Sequence, residues 1–119
     1  MPSDVRNRKR NEVSRIPVST KSIKLKVFDN GIVDNDTVTI FYNKKLLISK
    51  QKLSDRAIEI DLELDENVNL HEIIMYAENL GSIPPNTALI VVNAGDKRYE
   101  LFSSASMEEN AVLIFEYKP

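Results

Sequence analysis

Residues 57–64 alternate without a break: Ile58, Ile60, Leu62 and Leu64 fall on one side, Glu59, Asp61 and Glu63 on the other. A helix would scatter these side chains around its circumference, whereas a strand sorts them onto two faces. One face is therefore core and the other water, the pattern of an antiparallel sheet solvated on one side. The carboxylates Glu59, Asp61 and Glu63 are accordingly a solvated face, not an acid–base set.

The same period recurs along most of the chain. Ile23, Leu25 and Val27 alternate with Lys24, Lys26 and Phe28, and Val38, Ile40 and Tyr42 with Thr37, Thr39 and Phe41. Asn43-Lys44 reads as a tight hairpin turn into residues 46–48, since Asn tolerates positive φ. Residues 70–77 are more continuously apolar and admit a helical reading. Ile73-Ile74, Tyr76 and the Gly81 and Pro84-Pro85 punctuation favour a strand. Residues 87–93 and 98–102 form a hairpin around Ala94-Gly95-Asp96-Lys97, residues 103–110 a polar loop, and residues 111–117 a last strand. About eight short strands predict an all-β fold, an antiparallel β-sandwich of jelly-roll or immunoglobulin-like type.

With 119 residues, 42% of them apolar, the chain suits one domain with a core of its own. The expected division is a flexible basic tail or linker over residues 1–21 and the sandwich over residues 22–118. Residues 1–24 carry a net charge of +5 and the remainder −7. An acidic body repels phosphate, so nucleic acid is not an expected partner. No apolar run reaches the length of a transmembrane helix, and residues 2–10 lack the apolar region of a signal peptide. With no Cys, neither a disulfide nor a thiolate site can form. A monomer is expected.

The densest chemistry lies in Asp29-Asn30-Gly31-Ile32-Val33-Asp34-Asn35-Asp36. Carboxylates and amide carbonyls are oxygen ligands of the kind Ca2+ takes in flexible loops, and crowded like charges repel without a cation. The spacing is not that of an EF-hand. A second unusual loop follows Tyr76, with Glu78 and Asn79 near Gly81 and the rigid Pro84-Pro85 corner. If both loops share one end of the sandwich, Asp29, Asn30, Asp34, Asp36, Glu78 and Asn79 compose the expected Ca2+ shell. The competing reading is that Asp, Asn and Gly are simply turn-forming residues.

No catalytic apparatus is legible. His71 has no second His or Cys to share a metal, and Ser103, Ser104 and Ser106 lack a nucleophile-elbow pattern. There is no Trp to present to sugars, although Phe28 and Phe41 point away from the expected core and are candidates for an exposed pair.

Residues 28–47 and 74–89 carry two motifs, Asp29-Asn30-Gly31 through Asp34-Asn35-Asp36 and Ala77-Glu78-Asn79-Leu80-Gly81 through Pro84-Pro85-Asn86-Thr87-Ala88. Together they resemble a recurrent module of bacterial secreted and surface proteins, patterned YDNGxxDGDxVxxxxNGK and AENLGxxPPNTA. The chain departs from it at Asn35 and Lys44, where Gly is usual. The resemblance implies a β-sandwich, often C-terminal in its parent protein, in an extracytoplasmic setting. The expected role is a non-enzymatic accessory or interaction module with a Ca2+-stabilised loop and a protein or glycan ligand. A Ca2+-dependent carbohydrate-binding domain and a metal-free spacer are the alternatives.

Overall fold

The computed structural model describes residues 1–29, 36–79 and 86–119. A short helix, α1 (Ser3–Asn7), precedes β1 (Lys9–Val18), β2 (Ser22–Asp29), β3 (Thr37–Tyr42), β4 (Lys45–Lys52) and β5 (Ile58–Glu63). Then come β6 (Leu70–Asn79), β7 (Asn86–Ala94), β8 (Lys97–Ala105) and β9 (Glu109–Tyr117). These form a five-stranded sheet in the order β1-β9-β6-β3-β4 and a four-stranded sheet in the order β5-β2-β7-β8. Ile23, Leu25 and Val92 of the smaller sheet share one buried cluster with Ile40, Leu113 and Phe115 of the larger. The all-β expectation holds, and two sheets sharing one core fit a β-sandwich.

The clean alternations become strands as expected, and residues 70–77 are extended. Two strands run three or more residues further than the sequence suggested. Residues 103–105 prolong β8, because Ser103 and Ala105 are small, inward-facing and opposite Ala88 and Asn86. β4 reaches Lys52, its polar composition tolerated because it is a sheet edge.

The N-terminal expectation is overturned. Residues 1–21 are not a tail: β1 lies parallel to β9, from Lys9 opposite Glu109 to Val18 opposite Tyr117. Ile16 and Val18 are buried in the shared core, with Val13 packed against it. A register shift between Glu12 and Ser14 interrupts the period of two, and Pro17 breaks it visually. Pro17 is tolerated because β1 is an edge strand, where a missing N–H costs no ladder bond.

The basic run is likewise structural. The Arg8 guanidinium donates to the carbonyls of Ala77 (2.9 Å) and Ser106 (3.0 Å) and lies 3.8 Å from the Tyr76 ring centroid. Arg10 pairs with Glu72, whose hydrogen bond raises the guanidinium's already high pKa further.

The β3–β4 turn carries positive φ at both central residues, 45° at Asn43 and 71° at Lys44, as a primed two-residue hairpin turn demands. Asn43 also anchors the turn, its Oδ1 accepting the Glu72 N–H at 2.8 Å. Lys44 holds a left-handed conformation that its Cβ disfavours and Gly adopts freely. Lys44→Gly is expected to stabilise the fold by about 0.5–1 kcal/mol, after allowing for the added freedom of the unfolded chain. Denaturant midpoints compared at constant m-value check this.

Candidate functional site

The two motif loops spring from adjoining strand ends. Residues 30–35 connect β2 to β3, and residues 80–85 connect β6 to β7. Asp29 faces Ala88 across the β2–β7 ladder, and Thr37 faces Asn79 across β3–β6. The segment after β4 ties both roots of the acidic loop. The Asp29 N–H donates to the Ser54 carbonyl at 2.9 Å, and the Leu53 N–H donates to the Asp36 carbonyl at 2.8 Å.

The expected ligands nevertheless separate by face. Asp29 lies on the same side of β2 as core-facing Val27, and Asp36 is 1% exposed. Glu78 follows core-facing Ala77 and therefore projects from the outer face of the larger sheet. There its carboxylate accepts the Thr39 hydroxyl proton, while Thr39 Oγ1 accepts the Lys50 N–H at 3.0 Å. Thr39, Phe41, Tyr76 and Glu78 line a shallow hollow beside Asp4 and Val5. Glu78 therefore does not join Asp29 and Asp36 in one shell.

Asn30, Asp34 and the Asn79 side chain lie outside the described residues. Asp29 and Asp36 both have interaction partners of their own, so the burial of Asp36 and the partial burial of Asp29 do not by themselves call for a cation. Among the described residues, no group of three or more His, Asp or Glu is arranged to hold a metal ion. Of the six expected ligands, the described residues place buried Asp36 and half-buried Asp29 at the roots of the acidic loop and Glu78 on another face.

The expected Phe28–Phe41 pair does not form either. Phe41 is buried on the outer face of the five-stranded sheet, clustered with Val5. Phe28 is on the outer face of the four-stranded sheet, opposite Leu89, which is in turn opposite Phe102. Phe28, Leu89 and Phe102 thus make an apolar row across that face, one residue from Asp29. Phe102 is 64% exposed. The row went unrecognised because its members are far apart in sequence; the signal available was the alternation of Arg98, Glu100 and Phe102 against Tyr99 and Leu101. Towards the far end of the sheet the face turns charged, with Lys24 and Lys26 within 3.8 Å of Asp61 and Glu59.

His71 is fully buried, with Nδ1 2.7 Å from the Tyr42 hydroxyl and Nε2 2.9 Å from the Val68 carbonyl. Both ring nitrogens are satisfied by structural partners. Among the described residues, no helix is long and apolar enough to cross a membrane.

Comparison with known proteins finds no matching family model, no matching curated protein and no matching solved structure.

Proposed function

We propose that this chain is a non-enzymatic accessory or interaction module of a secreted or cell-surface protein. On this reading it engages its partner through the Phe28–Leu89–Phe102 row and the adjoining loop end. The observation that carries the reading is Phe102, a large aromatic left exposed on a regular sheet face in line with two other apolar side chains. Aromatic side chains on a rigid surface supply much contact area for little entropy loss, which favours recognition of protein or sugar faces. The extracytoplasmic setting rests on the resemblance of the two loop motifs.

The test is binding of the chain to arrays of bacterial surface glycans and surface proteins, with Phe102→Ala alongside. Binding by the parent chain that the variant loses, with its thermal midpoint retained, supports the reading. Binding that the variant keeps in full, or turnover of an arrayed substrate, overturns it.

Ca2+ enters as a subsidiary proposal on the paired roots of the acidic loop. Millimolar Ca2+ added to chelator-treated protein is expected to shift the amide resonances of Asp29 and Asp36 and to raise the thermal midpoint by mass action. A flat titration leaves the metal-free module. Glycan binding that requires Ca2+ instead favours the carbohydrate-binding alternative.

A further inference from the structure

Of the four sheet edges in the described structure, three are guarded against strand addition. β1 carries Pro17 and a register shift. β4 carries Lys45, Lys50 and Lys52, with Lys50 at φ 48° and two register shifts against β3. β5 is only six residues long and presents Glu59, Asp61 and Glu63, which would repel their own kind. Proline, bulges, lysines and brevity are the usual devices that keep an edge from pairing.

β8 is far less guarded, its single lysine, Lys97, standing at its first residue. All nine of its residues pair with β7 in unbroken register, with no proline and no positive φ. Its polarity follows from one hydrogen bond: the Ser104 carbonyl accepts the Asn11 side-chain amide at 3.3 Å and so points away from β7. In an antiparallel ladder, alternate residues direct both backbone groups to the same side. Phe102, Glu100 and Arg98 therefore present their N–H and C=O groups along the open edge, and Asn11 closes only its Ser104 end.

We infer that β8 is a self-association edge, pairing antiparallel with β8 of a second copy about a two-fold axis at Tyr99. An unpaired row of backbone groups is complementary to an extended strand, and the side chains specify which one. Arg98 and Glu100, both exposed and 2.6 Å apart within the chain, sit one residue either side of Tyr99. The two-fold sets Arg98 of each copy opposite Glu100 of the other, on one face. Directly opposed unlike charges support cross-strand pairing, and like charges oppose it. Asn11 occupies the Ser104 carbonyl, and a two-fold at Glu100 would oppose like charges, so the Tyr99-centred register is the favoured one. A net charge of −2 adds little mutual repulsion. One short strand pair is a small interface, so the dimer belongs to the weak class that buries less than about 1,200 Å2. It departs from the monomer expected from sequence, and it stands apart from the partner reading, which needs only the Phe102 side-chain face.

Sedimentation velocity over a wide concentration range, using the full chain, tests this. A concentration-dependent dimer is expected, with Arg98→Glu or Glu100→Arg weakening it by about tenfold or more. The exchange of both (Arg98→Glu with Glu100→Arg) restores it, because each copy is again complementary to the other. Glu100→Pro, which removes an N–H directed away from β7, abolishes the dimer while the thermal midpoint shows the monomer folded. Three results overturn the inference: a monomer up to about millimolar concentration, a dimer indifferent to the single charge reversals, or failure of the double exchange to restore it.

Discussion

Val5→Asp is expected to lower folding stability by about 3 kcal/mol, roughly a 10 °C fall in thermal midpoint for a chain of this size. Val5 is 4% exposed and packs with Phe41, Ile74, Val112 and Ile114, all on the outer face of the five-stranded sheet. Its backbone is held as well, since its carbonyl accepts the Nδ2 proton of buried Asn110 at 2.8 Å. Burying a valine contributes about 1.5–3 kcal/mol, and a carboxylate in its place would sit among apolar atoms. Asp4, next to it and exposed, provides the control: Asp4→Ala should stay within about 0.5 kcal/mol of the parent. A flexible tail would leave both variants indistinguishable from the parent, so equal midpoints for Val5→Asp and the parent would sink the structural role of the segment.

That segment also explains why part of the fold was legible in sequence and part was not. Residues 57–64 announce themselves because β5 has one wet face and one dry one, so hydrophobicity tracks the pleat. β6 is less transparent because both its faces are covered. Met75 and Ala77 face the core between the sheets, while Ile74 lies on the outer face in the cluster with Val5. The result is the apolar run Ile73-Ile74-Met75, which conceals the strand's parity. The expected strand stops at Ala77 and leaves Glu78 to the following loop, whereas β6 runs on to Asn79 and the pleat turns Glu78 to the outer face. β1 was obscured differently. Its inward residues Val13, Ile16 and Val18 are out of phase across a register shift, and their burial depends on β9, almost a full chain length away. The turns were the most legible elements because their chemistry is local: positive φ at Asn43 and at Gly95 follows from residue type. The Phe28–Leu89–Phe102 row is the opposite case, since only the strand order brings its members together.

His71→Ala is expected to cost about 3–5 kcal/mol, because it combines a cavity with two orphaned polar groups. The Val68 carbonyl can only accept, so Nε2 carries the proton and Nδ1 accepts from the Tyr42 hydroxyl. That hydroxyl in turn accepts the Asp65 N–H at 3.4 Å. The imidazole also stacks on Tyr42 at 6.0 Å between centroids and meets Tyr117 edge-on at 6.4 Å. His71→Phe separates the contributions: it refills most of the volume and restores the ring contacts, yet still strands the Val68 carbonyl and the Tyr42 hydroxyl. It should therefore lose less than His71→Ala but still about 1–3 kcal/mol. Tyr42 supplies an independent readout, since burial raises its phenol above the ordinary value of 10.0. A raised pKa means that the neutral phenol stabilises the fold fully below pH 10 and that this contribution disappears as pH rises through the folded-state value. Absorbance titration should show a tyrosine component ionising above pH 10 that vanishes in Tyr42→Phe, and the loss of stability in alkali should be shallower in the same variant. Opening the His71 cavity hydrates the phenol, so in a folded His71→Ala protein the late component should move back towards 10.0. A late component untouched by Tyr42→Phe, or a His71→Ala variant as stable as the parent, would show that this hydrogen-bonded pair does not brace the strand ends it joins.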